Sequence, residues 1–291
     1  MVRRIGANWM SLGHNDPVIL KIMPVITPID DPNDPRIAAY RNIRERDLVG
    51  RDGLFVAEGK VVLAMLLASA TYRPQSLLIA EHRLAALRDI VAQVPADVPI
   101  YAASQQVLDG IAGFALHRGI LAIGKRSAAP SPDDLLAGLP ARATILVLSA
   151  VSNHDNMGGI FRNAAAFGVP AILLDAECCD PLYRKSIRVS VGAALLVPFA
   201  FVPRGHDLID LVARHGLSPV ALSPQGATRL ADLKPAARTA VLLGAEGPGL
   251  AADLIARAQS ICIPMAPGFD SLNVATTSGI VLHHLASQPT T

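Results

Sequence analysis

The chain has 291 residues, of which 51% are apolar, 17% charged and 4% aromatic, with a formal net charge of +2. That length suits one large or two ordinary domains, and the apolar content excludes a largely disordered chain. So few aromatics argue against a stacking platform for single-stranded nucleic acid, and +2 is too small to indicate a nucleic-acid partner by itself. The charge is unevenly spread: residues 1–126 hold 15 Lys+Arg against 12 Asp+Glu, and residues 127–291 hold 11 against 12.

Residues 1–28 contain Gly6, Gly13, Pro17, Pro24 and Pro28. They read as an extension with little structure of its own, or as the product of an upstream start. No run of 18 or more apolar residues follows Arg3 and Arg4 or occurs elsewhere, so no membrane span is expected. Asp31-Pro-Asn-Asp-Pro35 is turn chemistry. The stretch after it carries Arg36, Arg41, Arg44, Arg46 and Arg51 in a helical pattern. Two readings stand: a solvated helix paired with Glu45 and Asp47, or a patch that tracks phosphates.

Strands are expected at Leu54 to Ala57, Ser76 to Ala80, Ile100 to Ala102 and Gly119 to Ile123. Helices are expected at Gly59 to Ala70, Leu84 to Val91, and Gln105 to Gly110 behind a Ser104 cap. This alternation predicts a small α/β domain over residues 29–126. His117 and Arg118, just before its last strand, are either a phosphate contact or ordinary surface. Residues 127–140 contain three prolines and read as a linker, with Pro132, Asp133 and Asp134 placed to start a short helix.

From residue 141 the pattern changes to near-continuous apolar strands alternating with helices, which implies a parallel sheet covered on both faces. Ala143 to Ser149 is the first strand. The polar run Asn153-His-Asp-Asn156 then caps a helix expected from about Met157, with Gly158 and Gly159 permitting close approach and Arg162 one turn in. Val169 to Leu174 is a strand. Arg184, Lys185 and Arg188 follow a strand end, where such sheets bind ligands. Leu195 to Phe201 ends in a strand, Asp207 to His215 is a helix, Pro219 to Ser223 a strand, and Gly226 to Lys234 a polar loop. Two strands then end in loops with little side chain: Val241-Leu-Leu-Gly244-Ala-Glu246-Gly-Pro-Gly249, and Ile261-Cys-Ile263-Pro264 through to Ser271-Leu272-Asn273. Loops of this kind let backbone touch a flat, hydrogen-bonding ligand.

Common site types are absent by motif: no G-x-x-x-x-G-K-[ST], no G-x-S-x-G, and no dinucleotide fingerprint at the first strand–helix turn. No metal is expected. His283 and His284 are adjacent on a helix, where neighbours point about 100° apart. Cys178 and Cys179 adjoin, Cys262 lies in a strand, and an odd count without CxxC reads as reduced thiols in a cytoplasmic protein.

Three blocks remain: Asn156 to Arg162, Gly244 to Glu246, and Ser271 to Asn273. NHDNMGGIFRNAAAFG, LLGAEGPGL and IPMAPGFDSLNVATTSGI, in that order, resemble the three motifs of the TrmH/SpoU family of RNA ribose 2′-O-methyltransferases, in the SPOUT superfamily. The likeness covers residues 141–291. Residues 30–125, with FVAEGKVVL and ALHRGILAI, resemble more loosely the small RNA-binding domain that often precedes it.

The resemblance implies an α/β SPOUT domain with a deep trefoil knot, a homodimer, S-adenosylmethionine as methyl donor and structured rRNA or tRNA as substrate. It implies cofactor contacts from Leu222, Ser223, Gly244, Ile263 and Leu272, with Pro264 fixing the loop exit. Arg162 becomes a phosphate clamp and possible general base, since a guanidinium alone is a poor base. Its alternative is a structural salt bridge. Asn156, Glu246 and Asn273 become the residues that order the site, although Asn273 by itself reads as a helix cap. Arg41, Arg44, Arg118, Arg184, Lys185 and Arg188 become the RNA-binding cations. In the first motif Pro is frequent in relatives where this chain has Asn-His-Asp-Asn. Two other readings are carried: a catalytically inactive RNA-binding or assembly factor on the same fold, and a small-molecule methyltransferase.

Overall fold

The structure is a computed structural model that describes residues 25–41, 53–112, 118–269 and 271–288. Arg44, Arg46, Arg51 and His117 lie outside these residues.

The first unit is a five-stranded mixed sheet. Its strands are β1 (Ile26–Ile29), β2 (Leu54–Glu58), β3 (Tyr72–Ala80), β4 (Ile100–Ala103) and β5 (Ile120–Arg126), in the order β1-β4-β3-β5-β2. Helices α1 (Lys60–Ala68), α2 (Arg88–Val91) and α3 (Gln105–Ala112) connect them. β1 corrects the expectation of an unstructured extension to residue 28. It pairs in parallel with β4 from Ile26↔Ile100 to Ile29↔Ala103, and Ile29 is buried. Pro28 misleads because it sits on an edge strand, where a missing N–H is tolerated. The helix expected at Leu84 to Val91 is instead two 3₁₀ turns, Glu81–Arg83 and Ala85–Leu87, followed by the single turn of α2. Ser104 caps α3 as expected, its Oγ accepting the Val107 N–H at 3.3 Å.

The second unit is a seven-stranded sheet in which every pairing is parallel. Its strands are β6 (Ala143–Leu148), β7 (Ile172–Leu174), β8 (Phe199–Phe201), β9 (Ser218–Leu222), β10 (Thr228–Arg229), β11 (Arg238–Leu243) and β12 (Gln259–Cys262). The order is β10-β12-β9-β11-β6-β7-β8. Alternate residues of β6 enter opposite cores, Ile145 and Val147 one way and Leu146 and Leu148 the other, so the strand reads as a continuous apolar run. Helices α5 (His154–Ala166), α6 (Arg184–Val189) and α9 (Val274–Ala286) contribute to one core. Helices α4 (Pro132–Ala137), α7 (Leu208–Arg214) and α8 (Ala252–Ala256) contribute to the other.

Three further expectations change. The linker is half docked: Ser131 caps α4 by accepting the Asp134 N–H at 3.1 Å, Leu136 is fully buried, and Arg238 donates to the Leu136 carbonyl at 3.3 Å. The polar loop at Gly226 to Lys234 holds β10 and a 3₁₀ turn, because Thr228 and Arg229 pair with Ile261 and Cys262. Helix α5 begins at His154 rather than near Met157, because Asn153 alone is the cap, accepting from the Asp155 and Asn156 N–H groups at 2.8 and 3.2 Å.

The first sheet packs against the α5/α6 side of the second, and one apolar core runs through both, from Phe55, Leu66 and Leu77 to Phe161, Ile187 and Leu195. Two ion pairs close the joint. Glu58 accepts from Arg184 Nη2 at 2.6 Å and Nε at 3.1 Å, and Asp180 accepts from Arg126 Nη2 at 2.6 Å. The Arg126 guanidinium also lies 5.8 Å from the centre of the Phe199 ring.

Candidate active site

The neighbouring strands β12, β9 and β11 end on the same side of the sheet, the side where parallel α/β sheets bind ligands. Their loops enclose a cleft of about 800 Å³. Leu222 and Ser223 line it from β9, Leu243 to Leu250 from β11, and Ile263, Met265 and Ser271 to Val274 from β12. Leu222, Ser223, Gly244, Ile263 and Leu272, expected from the resemblance as cofactor contacts, all line this cleft. Pro264 does not line the cleft; the wall passes from Ile263 to Met265, and Pro264 is left with the ordinary role of ending a strand.

The walls are largely backbone. At Gly244 an added Cβ would lie 2.3 Å from the Gly249 carbonyl carbon and 2.4 Å from the Leu250 nitrogen, so the loop folds back on itself only because no side chain is there. The fold-back is closed by the Gly249 N–H donating to the Ala245 carbonyl at 3.1 Å. On the opposite wall, an added Cβ at Gly226 would lie 2.2 Å from the Ile261 carbonyl carbon. The Ser223 N–H donates to the Ile261 carbonyl at 3.0 Å, which holds the β9 loop against β12.

At the lip of the cleft the three sequence blocks meet. Asn156 Nδ2 donates to Glu246 Oε1, and Asn273 Nδ2 donates to Asn156 Oδ1 at 2.7 Å and to Glu246 Oε1 at 3.3 Å. Asn273 also caps α9, its Oδ1 accepting the Ala275 and Thr276 N–H groups at 3.0 and 3.1 Å. The two readings of Asn273 therefore hold together: one side of its amide fixes the helix and the other joins the site. Asn156 is 5% exposed. Burial of an amide at that depth is tolerable because both of its polar atoms have partners.

Arg162 is not part of this cluster. It lies on the exposed face of α5, does not line the cleft, and makes no ion pair among the described residues. The close approaches at Gly158 and Gly159 are to neighbouring helices. Cβ atoms there would lie 2.8 Å from the Ser186 carbonyl oxygen and 2.7 Å from Ala275 Cβ. Asn163 escaped the sequence reading. Its Nδ2 donates to the Ala275 carbonyl at 2.7 Å and to Ser278 Oγ at 2.9 Å, clamping α5 to α9. The signal was its spacing of seven from Asn156, which puts both amides on one helix face.

The predicted RNA-binding cations divide. Arg184 is a correction: its side chain is 13% exposed and held by Glu58, so it closes the joint and is not open to a phosphate. Arg41 is committed in part, donating from Nη2 to the Asp34 carbonyl at 2.6 Å. Lys185 pairs with Asp155 at 2.6 Å with both side chains about half exposed. Arg118 is exposed, its stem against Gly59, and Arg188 is exposed on the outer face of α6. Arg44 lies outside the described residues.

His154, the first residue of α5, stacks on Tyr183 with ring centres 3.8 Å apart. Burial and the neighbouring Lys185 hold its pKa below the usual histidine value. Burial pushes the Cys178 thiol up and Cys179 to about 12, so neither is a thiolate nucleophile at neutral pH. Among the described residues no group of three or more His, Cys, Asp or Glu could hold a metal ion, and no helix is long and apolar enough to cross a membrane.

Comparison with known proteins accords with this geometry. An uncharacterised tRNA/rRNA methyltransferase of Mycobacterium bovis is 40% identical over 267 residues, covering 89% of this chain and 91% of the relative. The crystal structure of an AdoMet-bound rRNA methyltransferase from Sinorhizobium meliloti matches 89% of this chain and 97% of its own, with TM-score 0.75 and 22% identity. That of an RNA 2′-O ribose methyltransferase matches 89% and 97%, with TM-score 0.69 and 24% identity. Both structural likenesses establish the fold. Residues 143–283, which contain all three motif blocks, match the SpoU rRNA methylase family, and with the 40% identical relative this establishes that the chain belongs to that family.

Proposed function

We propose that the protein transfers a methyl group from S-adenosylmethionine to a ribose 2′-hydroxyl of structured rRNA or tRNA. The observation that carries the reading is the Asn156–Glu246–Asn273 cluster, which ties three distant motifs together at the lip of a backbone-lined cleft. The cleft fits the cofactor. Its volume of about 800 Å³ lies within the usual range for small-molecule sites. Leu222, Leu243, Ile263 and Leu272 offer apolar contact, the Gly244 to Gly249 loop offers peptide groups, and Glu246 is the only ionisable side chain among the described lining residues.

When bound, the cofactor supplies a methyl group on a positively charged sulfur, which is a good leaving group. The protein then has to orient the ribose and remove one proton. Asn156, Glu246 and Asn273 brace the lip so that the loops keep their shape. Arg162, free of any partner among the described residues, holds an RNA phosphate beside the target ribose and relays the hydroxyl proton with its help. Arg118, Lys185 and Arg188 are exposed enough to track the RNA backbone. The first sheet, Ile26 to Arg126, serves as the RNA-recognition domain.

The reading extends to a homodimer in the cytoplasm and to a knotted chain end. Exposed Ala165, Ala166 and Ile280 on the packed pair α5 and α9 suit a second copy. The close wrap of the β9 loop on β12 at Gly226 suits threading of the chain end through that loop. The test is transfer of label from S-adenosylmethionine into in vitro transcribed ribosomal and transfer RNA. Incorporation by the wild type and its loss in Arg162→Ala support the reading. Cofactor binding without transfer to any RNA contradicts it and favours an inactive RNA-binding factor. Unchanged transfer after deletion of residues 1–127 contradicts the role given to the first sheet.

A further inference from the structure

Phe269 is 71% exposed, and it is the only Phe, Tyr or Trp among the described residues that is not buried or half-buried. It ends a tight turn, Ala266-Pro267-Gly268-Phe269, in which the Phe269 N–H donates to the Ala266 carbonyl at 3.1 Å and Gly268 has φ +84°. Proline in the second position, a left-handed glycine in the third and that hydrogen bond define a type II turn. The backbone that carries the ring is therefore set before anything binds. The turn lies between Met265 and Ser271, both of which line the cleft, whereas Phe269 does not. Its side chain is exposed and stands at the rim, not among the residues that line the cleft. A single exposed aromatic is ordinary on a protein surface; what sets this one apart is its place beside the cleft lining on a hydrogen-bonded turn.

Resting on the reading that the cleft methylates RNA, we propose that Phe269 stacks on a nucleobase of the RNA substrate, at or next to the methylated nucleotide, and so positions it. Methylation at a ribose leaves the base unreacted, so the base has to be held by groups other than the reacting ones. An aromatic face suits any base, because every base presents a π-face. The low aromatic content of the chain is consistent with this: it excludes a platform of several rings, not a single ring on a rigid turn. Phe269 is not among the residues that line the cleft, so a contact with the cofactor would require the ring to turn inward.

The full-length protein carrying Phe269→Ala, Phe269→Leu or Phe269→Trp separates the possibilities. Binding of a fluorescent RNA transcript is followed by anisotropy, S-adenosylmethionine binding by calorimetry, and oligomeric state by sedimentation. Loss of one stacked base is expected to weaken RNA binding and raise the KM for RNA about 10-fold in Phe269→Ala. Phe269→Leu should lose nearly as much despite its apolar volume, and Phe269→Trp should match the wild type. Cofactor affinity and sedimentation should not move. Wild-type RNA affinity in Phe269→Ala overturns the proposal. So does weakened cofactor binding, which would put the ring on the methyl donor, or altered sedimentation, which would put it between subunits. Phe269-dependent RNA binding by a wild-type protein that transfers no methyl group supports stacking and contradicts the methyltransferase reading alone.

Discussion

The cleft and the joint between the two sheets both gather residues from distant stretches, but they are built from opposite materials. Among the described residues the cleft is lined by peptide backbone, apolar and uncharged polar side chains and the Glu246 carboxylate, which Asn156 and Asn273 brace. The joint consists of guanidinium–carboxylate pairs, Arg184–Glu58 and Arg126–Asp180, set against a shared apolar core. A site made of backbone is specified by what its residues lack, and it tolerates few other residue types. A cation is specified only by what faces it. Arg184 and Arg188 lie four apart on one short helix, yet one is held against Glu58 and the other is exposed.

The largest effect that would sharpen this contrast is at Arg162, the one predicted catalytic residue that neither region holds. Arg162→Ala should lower methyl transfer about 1000-fold, equivalent to about 4 kcal/mol, while calorimetry shows unchanged cofactor affinity. A loss of cofactor binding instead would move Arg162 into the cleft. Next comes the joint. Glu58→Ala leaves the Arg184 guanidinium buried without its main partner, and the denaturant midpoint should report a loss of about 3 kcal/mol. Arg73 and Asp97 form a pair of similar length, 2.5 Å, whose side chains are 63% and 65% exposed, so Arg73→Ala should cost too little to detect. Equal effects from the two substitutions would remove the distinction between a structural cation and a surface one.

Smaller again is Gly244→Ala, where the added methyl meets backbone at 2.3 Å. A loss of about 2 kcal/mol in stability is expected, with weaker cofactor binding, as a loop forced open costs both. Unchanged cofactor affinity would mean that this wall is not the binding wall. The smallest effect is at His154. Its folded-state pKa is held below the unfolded value, so the unfolded chain takes up the proton first. That contribution to stability is present above the unfolded pKa and is lost as pH falls through and below it. Thermal denaturation of His154→Gln should show a weaker dependence on pH below about 6.5 than the wild type. An identical pH dependence would show that the Tyr183 stack and Lys185 do not act on this residue.

What the sequence disclosed follows the same division. The parallel sheet and the strand-end loops were legible, because apolar strands followed by Gly, Pro and Asn leave few alternatives, while the individual lining residues came from the resemblance of the motifs. Asn273 was legible as a cap and as a site residue, and the structure uses both ends of its amide. The strand at Ile26 was hidden by prolines that an edge strand accommodates. Helix α4 was legible, since Pro132, Asp133 and Asp134 mark its start, whereas its docking was hidden, because the burial of Leu136 and the Arg238 bond to its carbonyl depend on distant residues. Asn163 was overlooked because its partners, the Ala275 carbonyl and Ser278, lie 112 and 115 residues later in the chain. The fate of Arg184 was hidden because Glu58, its partner, lies 126 residues earlier in the chain.

The central claim is that the cleft serves methylation of a ribose oxygen, and the most direct measurement is alkaline digestion of RNA labelled by the wild-type protein. A free 2′-hydroxyl is what attacks the adjacent phosphate in alkali, so a methyl group on that oxygen protects the linkage. The account predicts that the label is recovered in alkali-resistant dinucleotides. Recovery in ordinary mononucleotides would place the methyl group on a base and contradict it.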